Sequence, residues 1–312
     1  MASDTEADSD LLVAAAVMYY ERNLSQQAIA RRLGVSRSTV SRLLSRAREL
    51  GVVWIQVTPP NADPALARHL ASRLGLRSVH VAPGRALEAE PGPILAAPLD
   101  AAMEEAVLAA GDVVLVAWGR AVASASRHIR RSDTGVIVVP AMGGHGSDEP
   151  WFQPNEIART FALAVNGQPR YLHAPAVVSP ELATALRSEA ATCAVMALWD
   201  RAKVALVGVG AWPKPTPGHA ATGIPVDHPD LGTAVGDVAG LPFTDDGEII
   251  PWPADRRLLG VDPEQLRRIP NVIGLAGGVS KARAAIGAAR AGLIDTLVTD
   301  APTARAILDL AG

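Results

Sequence analysis

Ser25-Gln26-Gln27-Ala28-Ile29-Ala30-Arg31-Arg32-Leu33-Gly34-Val35-Ser36-Arg37-Ser38-Thr39-Val40-Ser41-Arg42-Leu43-Leu44-Ser45-Arg46 reads as two short helices joined by a tight turn. Ser25 is a good N-cap, Ile29, Ala30 and Leu33 recur at helical spacing, and Gly34 is a left-handed stop. Ser36 then caps a second helix, whose apolar positions Val40, Leu43, Leu44, Ala47 and Leu50 repeat every three or four residues until Gly51. A helix-turn-helix requires a small residue where its helices touch, a glycine at the turn and an apolar residue facing inward from the second helix; Ala30, Gly34 and Val40 supply these.

From Arg22 to Arg48 there are seven arginines and no acidic residue, a local charge of +7 in a chain whose net charge is −3. Charge and spacing together predict a face for double-stranded DNA. On the second helix, Ser36, Arg37, Ser38, Thr39, Ser41, Arg42 and Arg46 are expected to meet DNA: Arg can grip guanine O6 and N7, while hydroxyls and helix-end N–H groups hold phosphates. Gln26 and Gln27 open the preceding helix, where phosphate contact is expected. The plainer alternative is a three-helix bundle with a solvated basic face.

Upstream, Leu11 to Tyr20 predicts a first helix to about Glu21, preceded by a polar, acidic Met1–Asp10 expected to fray. Downstream, Val52 to Val57 reads as a strand, and Thr58-Pro59-Pro60-Asn61-Ala62-Asp63-Pro64 as a stiff break. The expected division is therefore 1–60, a helix-turn-helix (winged-helix-like) DNA-binding domain, and 61–312, an effector and oligomerisation domain. The charge divides there too, with seven basic against six acidic residues before the break and 22 against 26 after it.

Beyond the break, β-branched runs at Val79–Ala82, Val113–Trp118, Val136–Pro140, Val204–Val209, Val272–Ala276 and Thr296–Thr299 alternate with Ala- and Leu-rich stretches. This predicts an α/β domain with a parallel sheet covered by helices, a Rossmann-like arrangement. Several strands run into glycine: Gly119 followed by Arg120 and Ala121, Gly143 with Gly144, and Gly277 with Gly278. Loops of that kind at strand ends let backbone N–H groups approach an anion, so a phosphorylated or polyhydroxylated ligand is expected there. Lys281, just beyond Gly278, is placed to reach such an anion, or is a solvated lysine. Asp237, in Val235-Gly236-Asp237, is placed to hold sugar hydroxyls, or caps a turn.

The rest of the sequence is mostly exclusion. Hydrophobic residues make up 49% of the 312 and charged ones 20%, enough for a sizeable core and too apolar for a disordered chain. One cysteine, Cys193, and no signal segment predict a cytoplasmic protein, and no apolar run has the length of a membrane span, so no membrane partner is expected. The seven histidines lack metal-ligand spacing; His145 with Asp148, and His219 with Asp227 and His228, read as loop polarity, so no metal is expected. No nucleophile elbow or Walker motif occurs, and neither a cofactor nor a catalytic residue is expected.

Taken in order, the helix-turn-helix, Trp118-Gly119-Arg120, Val138-Val139-Pro140-Ala141-Met142-Gly143-Gly144, Leu206-Val207-Gly208-Val209-Gly210, Ala234-Val235-Gly236-Asp237, Ala276-Gly277-Gly278-Val279-Ser280-Lys281 and Val298-Thr299-Asp300-Ala301-Pro302-Thr303-Ala304 resemble the SorC family of bacterial transcriptional regulators over essentially the whole chain. The resemblance implies a DNA-binding domain joined to a sugar-binding domain related in fold to sugar-phosphate isomerases and deaminases. It implies a sugar or sugar-phosphate effector, operator DNA as partner and a homo-oligomer, dimer or tetramer, acting on sugar or polyol catabolism genes. It places Asp237 on sugar hydroxyls and Lys281 on phosphate. The family's threonine after Trp-Gly is replaced here by Arg120-Ala121, with Arg120, Ser124 and loop N–H groups the expected substitutes. The alternative function is a sugar-phosphate isomerase or deaminase fused to a DNA-binding module.

Overall fold

The computed structural model describes residues 10–53, 63–87, 90–146, 149–212 and 228–311. The strand expected over Val52–Val57 and the break at 58–64 lie largely outside these residues, as do Met1 to Ser9, Asp148, His219 and Asp227. Contacts within the chain cluster in two units, Met1–Val57 and Thr58–Gly312.

In the first unit, residues 10–16 form α1, α2 spans Gln26–Leu33 and α3 spans Arg37–Glu49. The helix expected to continue to Glu21 instead widens into a π-type turn over Val17–Glu21, with the Arg22 N–H donating to the Val17 carbonyl at 3.1 Å. Adjacent Tyr19 and Tyr20 meet edge to face at 4.9 Å in this turn, and both pack on the core of the unit. That core is Leu12, Ala15, Ala16, Ile29, Ala30, Val40, Leu43, Leu44 and Ala47; helical spacing picked out the last six, whereas Leu33 is half-buried and Leu50, expected on the same apolar face, is exposed just past the end of α3.

In the second unit α4 (Pro64–Leu74) is capped by Asp63, which accepts from the Ala65 and Leu66 N–H groups. A parallel sheet follows. Its strands are β1 (Ser78–Ala82), β2 (Val113–Val116), β3 (Ile137–Pro140), β4 (Gln168–Pro169), β6 (Ala202–Ala211), β10 (Asn271–Ala276) and β11 (Thr296–Asp300). They lie in the order β1-β11-β10-β6-β2-β3-β4. Two short strands, β5 (Val177–Val178) and β9 (Arg257–Leu258), pair apart from it. The end of β6 leaves the parallel array and pairs antiparallel with β7 (Gly236–Val238), which pairs with β8 (Leu241–Phe243).

Alternate residues of the parallel strands feed two cores. Val114, Val116, Val138, Val204, Leu206, Ile273 and Leu275 face one side, with Leu95, Leu99, Val122, Ile157 and Phe161. These come from α5 (Gly92–Glu105), α6 (Arg120–Ser126) and α7 (Pro154–Ala164). Val113, Leu115, Val139, Ala205, Val207 and Val272 face the other side, with Leu70, Leu266, Ala285 and Ile307. These belong to α4, α10 (Pro263–Arg268), α11 (Ala282–Arg290) and α12 (Ala301–Ala311). Burial on both faces explains why the strands read as continuous apolar runs; each fully buried Leu, Ile or Phe contributes roughly 1.5–3 kcal/mol. The short helices α8 (Pro180–Ser188) and α9 (Ala190–Met196) precede β6.

One half-buried carboxyl tunes stability to pH. Desolvation by burial pushes Asp100, on α5, up to about 6, although the Arg130 N–H donates to its carboxylate oxygens at 2.9 and 3.1 Å. The folded state holds this proton more tightly than the unfolded one, so the contribution is present below about pH 4 and is lost as pH rises through about 6. Asp100→Asn is expected to be most favourable, relative to the parent, above pH 7. Melting temperatures of the two proteins measured between about pH 4 and 8 should diverge in that direction, and parallel curves would refute the assignment.

Candidate functional site

In the first unit the turn is built as the sequence predicts. The Ser25 hydroxyl accepts from the Ala28 N–H at 3.2 Å. Gly34 adopts φ 66°, and the Val35 N–H donates back to the Ala30 carbonyl at 3.0 Å, closing α2. Ser36 accepts from the Thr39 N–H at 3.0 Å, and its hydroxyl also lies 2.8 Å from those of Ser38 and Thr39.

Helix α3 divides cleanly between two faces. Val40, Leu43, Leu44 and Ala47 are buried, whereas Ser36, Arg37, Ser38, Ser41, Arg42 and Arg46 are exposed and Thr39 is half-buried. The Arg42 guanidinium reaches the Thr39 hydroxyl at 3.5 Å. On α2, Gln27, Arg31 and Arg32 are exposed and Gln26 is half-buried. All nine residues expected to meet DNA are therefore on or bordering the solvent side of the two helices.

In the second unit the carboxyl edge of the parallel sheet carries the glycine loops. Strands β2 and β3 run on towards one edge of the sheet, β10 and β11 towards the other, so the order turns between β2 and β6, where α/β sheets form a ligand crevice. There Gly119 and Gly208 face each other: a Cβ on Gly119 would stand 3.7 Å from the Gly208 Cα, and one on Gly208 would be 3.3 Å from the Trp118 carbonyl. Gly119, at φ 132°, N-caps α6 with no side-chain cap. Arg120 and Ala121 begin that helix, both half-buried.

Two residues further along β6, on the same face as Gly208, lies Gly210. It pairs with Asp237 in β7, and a Cβ on it would be 2.0 Å from Asp237 Oδ1. Asp237 is thus a strand residue, 4% exposed, where one reading of the sequence had it capping a turn. Strand β7 packs on α11, with Gly236 against Ala284. Lys281, half-buried, closes the turn Val279–Lys281 that leads into α11, and this turn also packs on β6.

Of the glycine N–H groups expected to cradle an anion, those of Gly119, Gly143, Gly144 and Gly278 are taken up by acceptors of the protein itself. The Gly143 N–H donates to the Leu259 carbonyl and the Gly144 N–H to the Ala174 carbonyl, each at 2.8 Å; the Gly119 N–H donates to the Trp151 carbonyl. Their small size serves close packing: a Cβ on Gly143 would be 2.5 Å from the Ala174 carbonyl, and one on Gly277 2.9 Å from the Ala86 side chain. The Gly278 N–H donates to Asp300 Oδ2 at 2.8 Å. Ser124 is corrected as well: it is buried, and its hydroxyl accepts from the Gly92 N–H at 3.1 Å.

Several organising residues were not among those expected. Asp300 is fully buried at the end of β11, and its other oxygen accepts from both the N–H and the hydroxyl of Thr303, each at 2.9 Å. It ties the Gly277-Gly278 loop to the start of α12. Trp118 forms an aromatic wall with His145 and Phe152, at centroid distances of 5.8 and 5.7 Å. The paired spacing of Gly208 and Gly210 was a legible signal, since glycines two apart in a strand leave one face bare.

The comparisons with known proteins bear on both units. Residues 59–309 match the family model described as "Putative sugar-binding domain", and residues 17–49 match the model of sigma-70, region 4. The sorbitol operon regulator of Klebsiella pneumoniae is 30% identical over 311 residues, covering 96% of this chain and 98% of the relative. This chain belongs to the SorC family of transcriptional regulators. Transcriptional regulator LsrR of Enterobacter sp. (strain 638) is 31% identical over 98% of this chain and 94% of its own length. The crystal structure of full-length SorC from Klebsiella pneumoniae aligns with a TM-score of 0.71 at 28% identity, covering 97% of this chain and 99% of that one. Like these relatives, this SorC-family member is a transcriptional regulator with a helix-turn-helix and a sugar-binding domain.

Because Gly210 leaves the space that Asp237 occupies, Gly210→Ala is expected to displace that carboxylate and to destabilise the large unit by about 1–3 kcal/mol. Urea unfolding of the full chain checks this. A parent-like midpoint would show that Asp237 is not held by this contact.

Proposed function

We propose that residues 1–60 bind operator DNA through α2 and α3, and that residues 61–312 bind a sugar or sugar-phosphate effector and form a homo-oligomer, dimer or tetramer. The genes controlled are those of sugar or polyol catabolism, the protein acts in the cytoplasm, and it is not an enzyme. The observation that carries this reading is the combination of an exposed polar and arginine-bearing face on α3 with the crevice between β2 and β6. The relatives' naming as regulators supports it over a sugar-phosphate isomerase or deaminase. Among the described residues no helix is long and apolar enough to cross a membrane, and no His, Cys, Asp and Glu cluster has the makings of a metal site.

In the effector site we assign Asp237 to sugar hydroxyls and Lys281 to an anionic substituent, with Gly119, Arg120 and Ala121 forming the floor beside Gly208. Gly143, Gly144, Gly277 and Gly278 shape the loops by close packing. The switch is a population shift: effector binds one arrangement of the oligomer more tightly and so changes how two recognition helices meet adjacent half-sites. Moving that balance from 1:99 to 99:1 takes about 5.5 kcal/mol of differential affinity.

Two substitutions separate the functions. Arg42→Ala is expected to weaken operator binding by about tenfold, equivalent to losing roughly 1–3 kcal/mol at one base contact, while leaving effector binding intact; gel-shift titration at graded salt, with calorimetry for effector, would read both. Unchanged operator affinity would remove Arg42 from the reading face. Lys281→Ala should shift the effector dose response to higher concentration without altering unliganded DNA binding. A panel of sugars, polyols and their phosphates provides the probes, and a superimposable response would take Lys281 out of the site.

A further inference from the structure

Three hydroxyls and a guanidinium follow one another across the amino end of α3. The Ser36 oxygen accepts from the Thr39 N–H at 3.0 Å and lies 2.8 Å from the hydroxyl oxygens of both Ser38 and Thr39. Arg42 Nη2 reaches the Thr39 oxygen at 3.5 Å, a long contact that leaves room to tighten. The row runs Ser38, Ser36, Thr39, Arg42, with Thr39 half-buried and the others exposed.

Hydrogen counting limits what this row can do. A serine hydroxyl has one hydrogen to give and two lone pairs, and the three contacts of Ser36 use them all. One lone pair takes the Thr39 N–H, so Ser36 must donate to one neighbouring hydroxyl and accept from the other. In the first arrangement Ser36 donates to Thr39 and receives the Ser38 hydrogen, and Ser38 shows only lone pairs to solvent. In the second Ser36 donates to Ser38 and receives the Thr39 hydrogen, and Ser38 keeps its own hydrogen for an outside acceptor.

The outer partners choose between the two. A guanidinium only donates, and an ionised phosphate only accepts. Phosphate at Ser38 therefore requires the second arrangement, which turns the Thr39 hydrogen towards Ser36 and leaves both Thr39 lone pairs for Arg42. In the first arrangement Ser36 takes one of those lone pairs, and the Thr39 hydrogen is loose beside a positive charge. Hydrogen bonds in such a chain polarise one another, so satisfying one end strengthens the other.

We propose, resting on the assignment of Arg42 to the reading face, that Ser36 and Thr39 are positioning residues in a relay that links phosphate contact to base reading. A phosphate bound by Ser38 orders the hydroxyls, and Thr39 then steadies the Arg42 guanidinium at the base edge. The guanidinium is steadied only when α3 is seated with a phosphate at its amino end. The relay raises discrimination without adding a contact to DNA.

The test uses the full chain and a duplex that the parent protein selects from a randomised library, with affinities from anisotropy titration. Thr39→Val keeps the branched shape and the N–H that Ser36 caps but removes the hydroxyl. It should weaken binding by about threefold or more, and have no further effect once Arg42 is alanine, the mark of residues acting as one unit. Thr39→Ser should restore the parent affinity, and melting temperatures should not track these changes. Ser38→Ala and Arg42→Ala should together cost less than the product of their separate losses, and in the Thr39→Val background the losses should multiply. A full Thr39→Val effect in the Arg42→Ala background, or multiplying losses with Thr39 present, would overturn the relay and leave Arg42 on the reading face. A selection that enriches no sequence, or equal affinity of the parent and Arg42→Ala, would overturn both.

Discussion

Everything at the carboxyl edge of the large unit depends on how closely two backbone segments approach between β2 and β6. With Gly119 and Gly208 facing each other and only 3.7 Å available to an added Cβ, the turn from β2 into α6 lies directly on β6. A methyl at Gly208 would require the Trp118 carbonyl to give by a few tenths of an ångström, and at Gly119 the constraint is the backbone φ of 132°, which L side chains rarely adopt. The same strand face is bare again at Gly210, and there Asp237 fits. Three residues without side chains therefore fix where a buried carboxylate stands relative to the start of a helix.

A second constraint stabilises the neighbouring loop. Asp300 accepts from the Gly278 N–H with one oxygen and from the N–H and hydroxyl of Thr303 with the other. A fully buried carboxylate is tolerated only when its acceptors are satisfied in this way. The bonds join the ends of β10 and β11, so the loop before Lys281 and the start of α12 are held as one piece.

Much of this architecture was legible in the sequence. Ser25, Gly34 and Ser36 mark helix ends by local chemistry that needs no tertiary information, and Val40, Leu43, Leu44 and Ala47 mark a buried face by periodicity alone. Parallel strands were recognisable because burial on both faces gives continuous apolar runs. What sequence could not give were partners distant in the chain. Nothing local reveals that the Gly143 N–H is taken by the Leu259 carbonyl, or that the Ser124 hydroxyl serves Gly92. A glycine pair after a strand looks the same whether it cradles a ligand or admits another backbone. Short strands such as β7, where Asp237 sits, are likewise set by pairing with β6 and not by propensity.

The basic face of the small unit is built entirely from arginine. Between Arg22 and Arg48 there is no lysine, and all seven guanidinium-bearing residues are exposed. A guanidinium stays protonated across any pH a cell reaches, and lysine acetylation, which neutralises basic surfaces elsewhere, has no target there. The attraction to nucleic acid is therefore constant in time, so whatever regulates occupancy must act on something other than the charge of this face.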